Sequence, residues 1–194
     1  MHPHWYSASS DVQRRLISLF IRSLHPDRAL TLTPSAPSDI TVFESELNFT
    51  RSPHDIAAVL RWGLRRLKLD GTSFGKDSAE WSWYTNFFQT ERQSSYPPNA
   101  YTDILPPQVV PAHLDLLTAT LEILSSLAAH AEANSISGSK VSKFLGFWLM
   151  CAQRFDPGDD WPTFYARWEK AGRILEHLFF ARIRSVSVSY FPCG

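Results

Sequence analysis

The sequence lacks the features that mark most secreted, membrane-spanning and nucleic-acid-binding proteins. Two cysteines, Cys151 and Cys193, are too few for a disulfide framework or a zinc cluster. The longest apolar run, Phe144 to Ala152, is well short of the roughly 20 residues that a bilayer-spanning helix needs. The 19 basic and 19 acidic residues cancel, which argues against bulk attraction to nucleic acid. We therefore expect a reducing, cytoplasmic setting, no nucleic-acid partner and no direct membrane insertion.

The composition is that of a compact folded chain. Hydrophobic residues make up 44% of the sequence and aromatic residues 13%, so there is ample apolar surface to bury. The 194 residues suffice for one sizeable core and are too few for two comfortable ones. We predict a single domain over residues 1–194, with tails at 1–9 and 187–194.

Apolar residues recur at helical spacing through most of the chain. The pattern predicts helices over residues 10–24, 53–69, 81–92, 112–134 and 138–152, and a last long helix that begins near Trp161. The Pro- and Ser-rich segment at 31–39 is predicted to be a loop. Apart from a brief alternation at the C-terminus no strand pattern is present. The predicted fold class is all-α, an irregular bundle of about six to eight helices.

Four cations lie together in a chain without net charge. Helical spacing places Arg61, Arg65 and Lys68 on a narrow stripe beside the apolar face of the second predicted helix, next to Arg66. One interpretation is a solvated surface whose charge suits the helix C-terminus. The other is a docking edge for an acidic or phosphate-bearing partner, since guanidinium groups pair well with carboxylates and phosphates.

Other clusters have plainer interpretations. The aromatic cluster of residues 81–88 is expected to be mainly core, with an exposed partner anchor as the alternative. His177 falls within an apolar stripe and is expected to be a hydrogen-bonded packing residue. His2 and His4 have no further metal ligands nearby, and no nucleophile motif or phosphate-binding loop is present. We predict no metal and no cofactor.

A series of short motifs in a shared order resembles the RhoGAP domain. It is closer to a fungal branch of that fold, the RhoGAP-like domains of bud-emergence, morphogenesis and meiotically up-regulated proteins. The resemblance covers about residues 40–186. Its motifs are Arg61-Trp62 with Arg65-Arg66-Leu67, Trp81-Ser82-Trp83-Tyr84 with Phe87, Phe88 and Glu91, Tyr96-Pro97 with Ala100-Tyr101, Asn134-Ser135-Ile136-Ser137-Gly138-Ser139-Lys140, and His177 to Ser185.

The resemblance implies a RhoGAP-type helical bundle and a surface that docks on a Rho-family small GTPase. Arg61 falls where the family has Lys, Arg65 where it has its second basic residue, and Asn134 where it has Asn. With Lys68 and Lys140 these residues form the predicted GTPase-binding edge. One departure is that Leu67 is followed by Lys68, where the family pattern has Leu-Pro.

GTPase-activating catalysis needs an arginine on a loop beside the transferring phosphoryl group. The glycine-flanked turn that carries it in the family is missing. Arg22 lies within a helical pattern, and Arg28 is in a loop without flanking glycines. These two are the candidate arginine fingers, and we expect no catalytic activity.

The resulting hypothesis is a GTPase-binding scaffold or regulator in cell polarity and morphogenesis. Other polarity scaffold proteins are further expected partners, and the GTPase is expected to recruit the chain to the cell cortex. The alternatives are an active Rho GTPase-activating protein and a helical adaptor that no longer binds a GTPase.

Overall fold

A computed structural model describes residues 9–24, 38–66, 68–69, 72–74, 81–150, 158 and 160–190. These residues form helices almost throughout. The elements are α1 Ser10–Ser23, α2 Asp39–Phe49, α3 Pro53–Arg66, β1 Lys68–Leu69, β2 Thr72–Ser73, α4 Ser82–Gln93, α5 Ala100–Asp103, a 3-10 helix Pro106–Gln108, α6 Pro111–Ala129, α7 Ala131–Asn134, α8 Gly138–Leu149 and α9 Trp161–Tyr190.

The chain divides into two compact units, residues 1–64 and 65–194, and the division falls inside α3. The prediction of a single domain stays a prediction. In the first unit, the ring centroid of Phe20 lies 5.5 Å from that of Phe43 on α2 and 6.4 Å from that of Trp62 on α3. Leu16 and Leu19 of α1 are buried as well. Burial of these apolar side chains holds the three helices together.

The core of the second unit lies between α4, α6, α8 and α9. Its largest fully buried side chains are Trp81, Phe87, Leu105, Leu117, Leu121, Leu124, Leu149, Met150, Ile174, Leu175 and Leu178. Trp81 adopts a left-handed conformation (φ 69°) just before α4, and its indole Nε1 donates to the carbonyl of Met150. The last helix, α9, has 30 residues and is therefore about 45 Å long.

Two glycines allow α8 and α9 to cross at very short range. A Cβ atom added to Gly146 would lie 2.6 Å from the carbonyl oxygen of Ala171, and one added to Gly172 would lie 2.9 Å from the Cα of Lys143. Phe147 of α8 contacts Phe164 near the start of α9, while Gly138 at the start of α8 lies beside Phe179. The two helices are therefore antiparallel.

The predicted all-α class is confirmed for the described residues, in which the only strands are two residues long. The helix predicted over 53–69 ends at Arg66, because Lys68–Leu69 pairs with Thr72–Ser73 around the sequence Asp70-Gly71, which is typical of a tight hairpin. The helix predicted over 112–134 is interrupted at His130. Residues 187–190, predicted to be tail, continue α9.

Helix α2 was not predicted from the sequence. Ser38 caps this helix, so its first turn occupies the end of the predicted loop at 31–39, the rest of which lies outside the described residues. None of its residues is fully buried. Without a buried stripe the helix has no clear apolar periodicity, the signal on which helix prediction depends.

Candidate functional site

Asn134 and Lys140, two residues of the predicted docking edge, meet at the turn between α7 and α8. The Asn134 side chain donates from Nδ2 to the carbonyl of Leu127 and accepts at Oδ1 from the N–H of Ile136, each at 2.8 Å. Ser135 follows in a left-handed conformation (φ 58°), and its carbonyl accepts from Nζ of Lys140 at 3.4 Å. The asparagine therefore shapes the turn, and the lysine projects from it as an exposed cation.

Arg65 and Lys68 are both exposed. The guanidinium carbon of Arg65 lies 5.8 Å from the ring centroid of Trp148 on α8, within the range of a cation–π contact. Lys140 and Trp148 are eight residues apart on α8, about 12 Å along its axis. Three predicted docking residues (Asn134, Lys140 and Arg65) are thus tied to the two ends of one helix.

The exposed cations of this edge have no acidic partner in the described part of the chain. The ion pairs formed there involve other basic residues, and Arg65, Lys68 and Lys140 are not among them. Each of the three charges therefore remains available to an external anionic group.

Arg61 belongs to the first compact unit and differs from the others. Its side chain is half-buried, and this burial lowers the pKa of its guanidinium below the ordinary value. Arg61 is therefore not one of the exposed cations that were predicted along α3.

Arg22, one of the two arginine-finger candidates, also belongs to the first unit. Arg22 lies in the last turn of α1, and its Nη2 lies 3.0 Å from Oδ1 of Asp39. A helical arginine held by a carboxylate is unlike the loop arginine that phosphoryl-transfer stabilisation requires. Arg28 lies outside the described residues.

A buried polar network joins α4 to α9 in the second unit. The carboxylate of Glu91 is fully buried; Arg184 donates to its Oε1, and His177 Nε2 lies 2.8 Å from its Oε2. The hydroxyl of Tyr84 lies 3.2 Å from His177 Nδ1, the other ring nitrogen. His177 is thus the hydrogen-bonded packing residue that the sequence predicted.

The pKa values of this network follow from burial and charge. Burial, with a smaller contribution from the Arg184 charge, lowers the pKa of His177, and the opposing effect of Glu91 is not enough to restore it. Burial and the nearby Glu91 carboxylate raise the pKa of Tyr84 to about 12. Both shifts favour the uncharged forms of the His177 imidazole and the Tyr84 phenol at neutral pH.

The sequence contained a signal for this network that spacing could have found. Tyr84, Phe87 and Glu91 recur at helical spacing, which places a carboxylate on the apolar face of α4. His177 and Arg184 are seven residues apart on α9 and share a face. A charged residue in an apolar stripe is rarely buried without a partner. The carboxylate on the apolar face of α4 and the two basic residues on one face of α9 therefore indicate that these two faces are in contact.

In the described ranges no group of three or more His, Cys, Asp or Glu side chains could hold a metal ion. The helices described between residues 9 and 190 include none that is both long and apolar enough to cross a membrane.

Comparison with known proteins places the chain in a family. No curated protein and no solved structure matches it. A family model described as the meiotically up-regulated protein Msb1/Mug8 domain matches residues 51–190. This range contains the docking-edge residues and all four members of the buried network, but neither arginine-finger candidate. The chain therefore belongs to the Msb1/Mug8 domain family, a fungal family related to morphogenesis.

Proposed function

We propose that this chain is a RhoGAP-like domain that binds a Rho-type small GTPase and acts as a scaffold or regulator in fungal polarity and morphogenesis. The motif order described above supports the likeness to RhoGAP domains, and the family supports the link to morphogenesis. In this proposal the chain does not accelerate GTP hydrolysis.

The observation that carries the proposal is the arrangement of exposed, unneutralised cations around α8. Lys140 projects from the turn that Asn134 shapes, and Arg65 is held against Trp148 at the far end of the helix. Because contacts within the domain already restrict these side chains, docking an acidic surface on them costs less conformational entropy than docking on free ones. Complementary charge would also raise the rate of encounter.

The absence of catalysis is proposed on positional grounds. Arg22 is on a helix and pairs with Asp39, and both it and Arg28 precede the residues that the family model matches. A domain that docks on a GTPase without inserting an arginine would hold the GTPase or exclude other partners while leaving its hydrolysis rate unchanged.

The test is to measure binding and GTP hydrolysis by a panel of purified Rho-type GTPases. We expect binding of at least one GTPase without acceleration of hydrolysis. Replacing Arg65 and Lys140 together with Glu should weaken binding by at least about tenfold, since two close charge pairs become repulsive. Arg14→Glu is the control, because Arg14 is an exposed arginine of α1 outside the proposed surface.

Each other outcome has a distinct meaning. Selective binding to the GDP–aluminium fluoride state together with accelerated hydrolysis would replace the scaffold by an active GTPase-activating protein. Binding that survives the double substitution would show that the docking surface lies elsewhere. If no GTPase binds, the helical adaptor becomes the better hypothesis.

A further inference from the structure

The second compact unit carries a surface made of aromatic rings, three of them well exposed, and one exposed lysine. We call it the aromatic–basic face. Its members on α8 and α9 are Lys143, Phe144, Phe147, Trp161, Tyr165 and Trp168. Trp161 is 69% exposed, Phe144 52% and Tyr165 44%. Large apolar side chains exposed to this degree on neighbouring helices indicate an interaction site.

Ring contacts connect much of this surface. Trp161 stacks on Phe164 with centroids 5.5 Å apart, and Phe164 meets Phe147 edge-on at 5.6 Å. Phe147 lies 6.5 Å from Trp168, which lies 5.3 Å from Tyr165. The close crossing at Gly146 and Gly172 keeps α8 and α9 in place beneath the rings. The aromatic residues therefore form a preformed cluster.

The charge of α8 has one sign. Its two lysines, Lys140 and Lys143, are exposed, and its sequence Gly138–Leu149 contains no acidic residue. At 100° per residue, Lys140, Lys143, Phe144, Phe147 and Trp148 fall on one face of the helix. This face of α8 thus combines cations with aromatic rings, as amphipathic helices at lipid–water interfaces do.

The two acidic residues described near this face, Asp160 and Glu169, are already engaged. Asp156 and Asp159 lie outside the described residues. Asp160, directly before Trp161, accepts from the N–H of Thr163 in the first turn of α9. Glu169 forms an ion pair with Arg173, with Oε2 and Nη2 3.5 Å apart. Residues 160–173 carry three basic side chains, Arg167, Lys170 and Arg173, against the two acidic ones.

A second exposed apolar surface provides a contrast within the same chain. Phe49 on α2 is 79% exposed, more than any ring of the aromatic–basic face. Helix α2 carries Asp39, Glu44 and Glu46 and no basic residue. Asp39 and Glu46 are paired with arginines of α1, so α2 has no cation of its own to offer an anionic membrane, whereas α8 has two exposed lysines.

We propose that the aromatic–basic face adsorbs to an anionic phospholipid surface. Lys143 would reach the headgroup phosphates, and Trp161 and Phe144 would lie at the boundary between headgroups and acyl chains, where tryptophan is favoured. Adsorption of this kind requires no membrane-spanning helix. The proposal does not depend on GTPase binding, since its main residues lie outside the proposed docking edge.

The test is co-sedimentation of the full chain with vesicles of phosphatidylcholine alone or with about 30 mol% phosphatidylserine, an anionic lipid. We expect binding to the phosphatidylserine vesicles only, and a marked decrease when salt is raised from about 0.1 M to about 0.5 M. Lys143→Gln should weaken this binding about fivefold, the equivalent of about 1 kcal/mol for one lysine. Trp161→Ser should weaken it further.

Matched controls make the outcomes decisive. Phe49→Ser removes the more exposed ring of α2 and should leave vesicle binding unchanged. Arg65 and Lys140 stay unaltered, so the variants test lipid binding separately from the proposed GTPase binding. The proposal fails if the chain does not sediment, if it binds neutral vesicles equally well, or if Trp161→Ser and Lys143→Gln have no effect. Loss of GTPase binding in Trp161→Ser without any vesicle binding would make this face a protein interface instead.

Discussion

His177 Nε2 lies 2.8 Å from Glu91 Oε2, although the two residues are 86 positions apart on α9 and α4. Arg184, seven residues further along α9, donates to the other oxygen of the same carboxylate. Two side chains of a single helix face therefore lie against one buried carboxylate. This arrangement fixes how α4 packs against α9, and it joins two of the sequence motifs on which the RhoGAP resemblance rests.

Glu91→Gln should destabilise the protein by about 2–4 kcal/mol. The substitution keeps the size of the side chain but removes its charge, which leaves the guanidinium of Arg184 partly buried without its counter-ion. Urea denaturation followed by far-UV circular dichroism would measure the change in the free energy of unfolding.

The control for Glu91 is an ion pair on the surface of the same long helix. Arg173 lies 3.5 Å from Glu169, and the side chain of Arg173 is 73% exposed. Glu169→Gln should therefore cost less than about 1 kcal/mol, as is usual for surface pairs. Equal costs for the two substitutions would show that burial does not strengthen the Glu91 network.

Stability should decrease as the pH falls below about 6.5, the ordinary value for histidine. Because the pKa of His177 is lowered in the folded protein, the unfolded chain binds a proton first, and the free energy of unfolding decreases until the pH passes the folded-state pKa. Urea midpoints between pH 8 and pH 5 would measure the slope. His177→Gln should reduce the slope, and an identical slope in this variant would assign the effect to other groups.

The raised pKa of Tyr84 leads us to expect a second loss of stability, at alkaline pH. Its pKa is raised to about 12 in the folded protein, from an ordinary value near 10. Between these values the unfolded chain releases the phenolic proton and the folded protein retains it, so the free energy of unfolding falls as the pH rises. Tyr84→Phe should lessen this fall, with the wild-type protein measured in parallel because other tyrosines also titrate.

Sequence periodicity predicted the helices that bury a clear apolar stripe and missed the one that does not. The start of α9 at Trp161 and the core role of the aromatic residues Trp81 and Phe87 were predictable because burial and helical spacing coincide there. Helix α2 was not, since it has no fully buried residue. The hairpin after α3 is only two residues per strand, too short for alternation to be seen.

Parts of the candidate site were visible in the sequence and parts were not. The role of Asn134 as a bridge between backbone groups agrees with what its side-chain chemistry allows. The half-burial of Arg61 was not predictable from the stripe on α3, because helical spacing gives the direction of a side chain but not what packs beside it. Likewise, the contact between Arg65 and Trp148 depends on tertiary packing.

Gly146→Ala should destabilise the crossing of α8 and α9 by about 1–3 kcal/mol, because the added methyl group would approach the backbone of Ala171 to 2.6 Å. Neither helix can yield locally, since the atom in the way is a carbonyl oxygen. Gly63→Ala is the control: its methyl group would lie 4.0 Å from Phe20, so the usual helix preference for alanine should stabilise the protein by about 0.5–1 kcal/mol. Opposite signs in thermal or urea denaturation would confirm the close crossing.

Asn134→Ala should separate a structural role from a docking role at the turn before α8. Both polar ends of this side chain bind backbone groups of the turn, so its removal should lower the free energy of unfolding by about 1 kcal/mol. Lys140→Glu should change the free energy of unfolding very little, because the lysine makes only one long hydrogen bond and its charge faces outward. We expect that substitution to weaken GTPase binding while stability stays nearly constant. If Asn134→Ala instead abolished binding without loss of stability, the asparagine would contact the partner directly, and the turn would be part of the docking surface itself rather than its support.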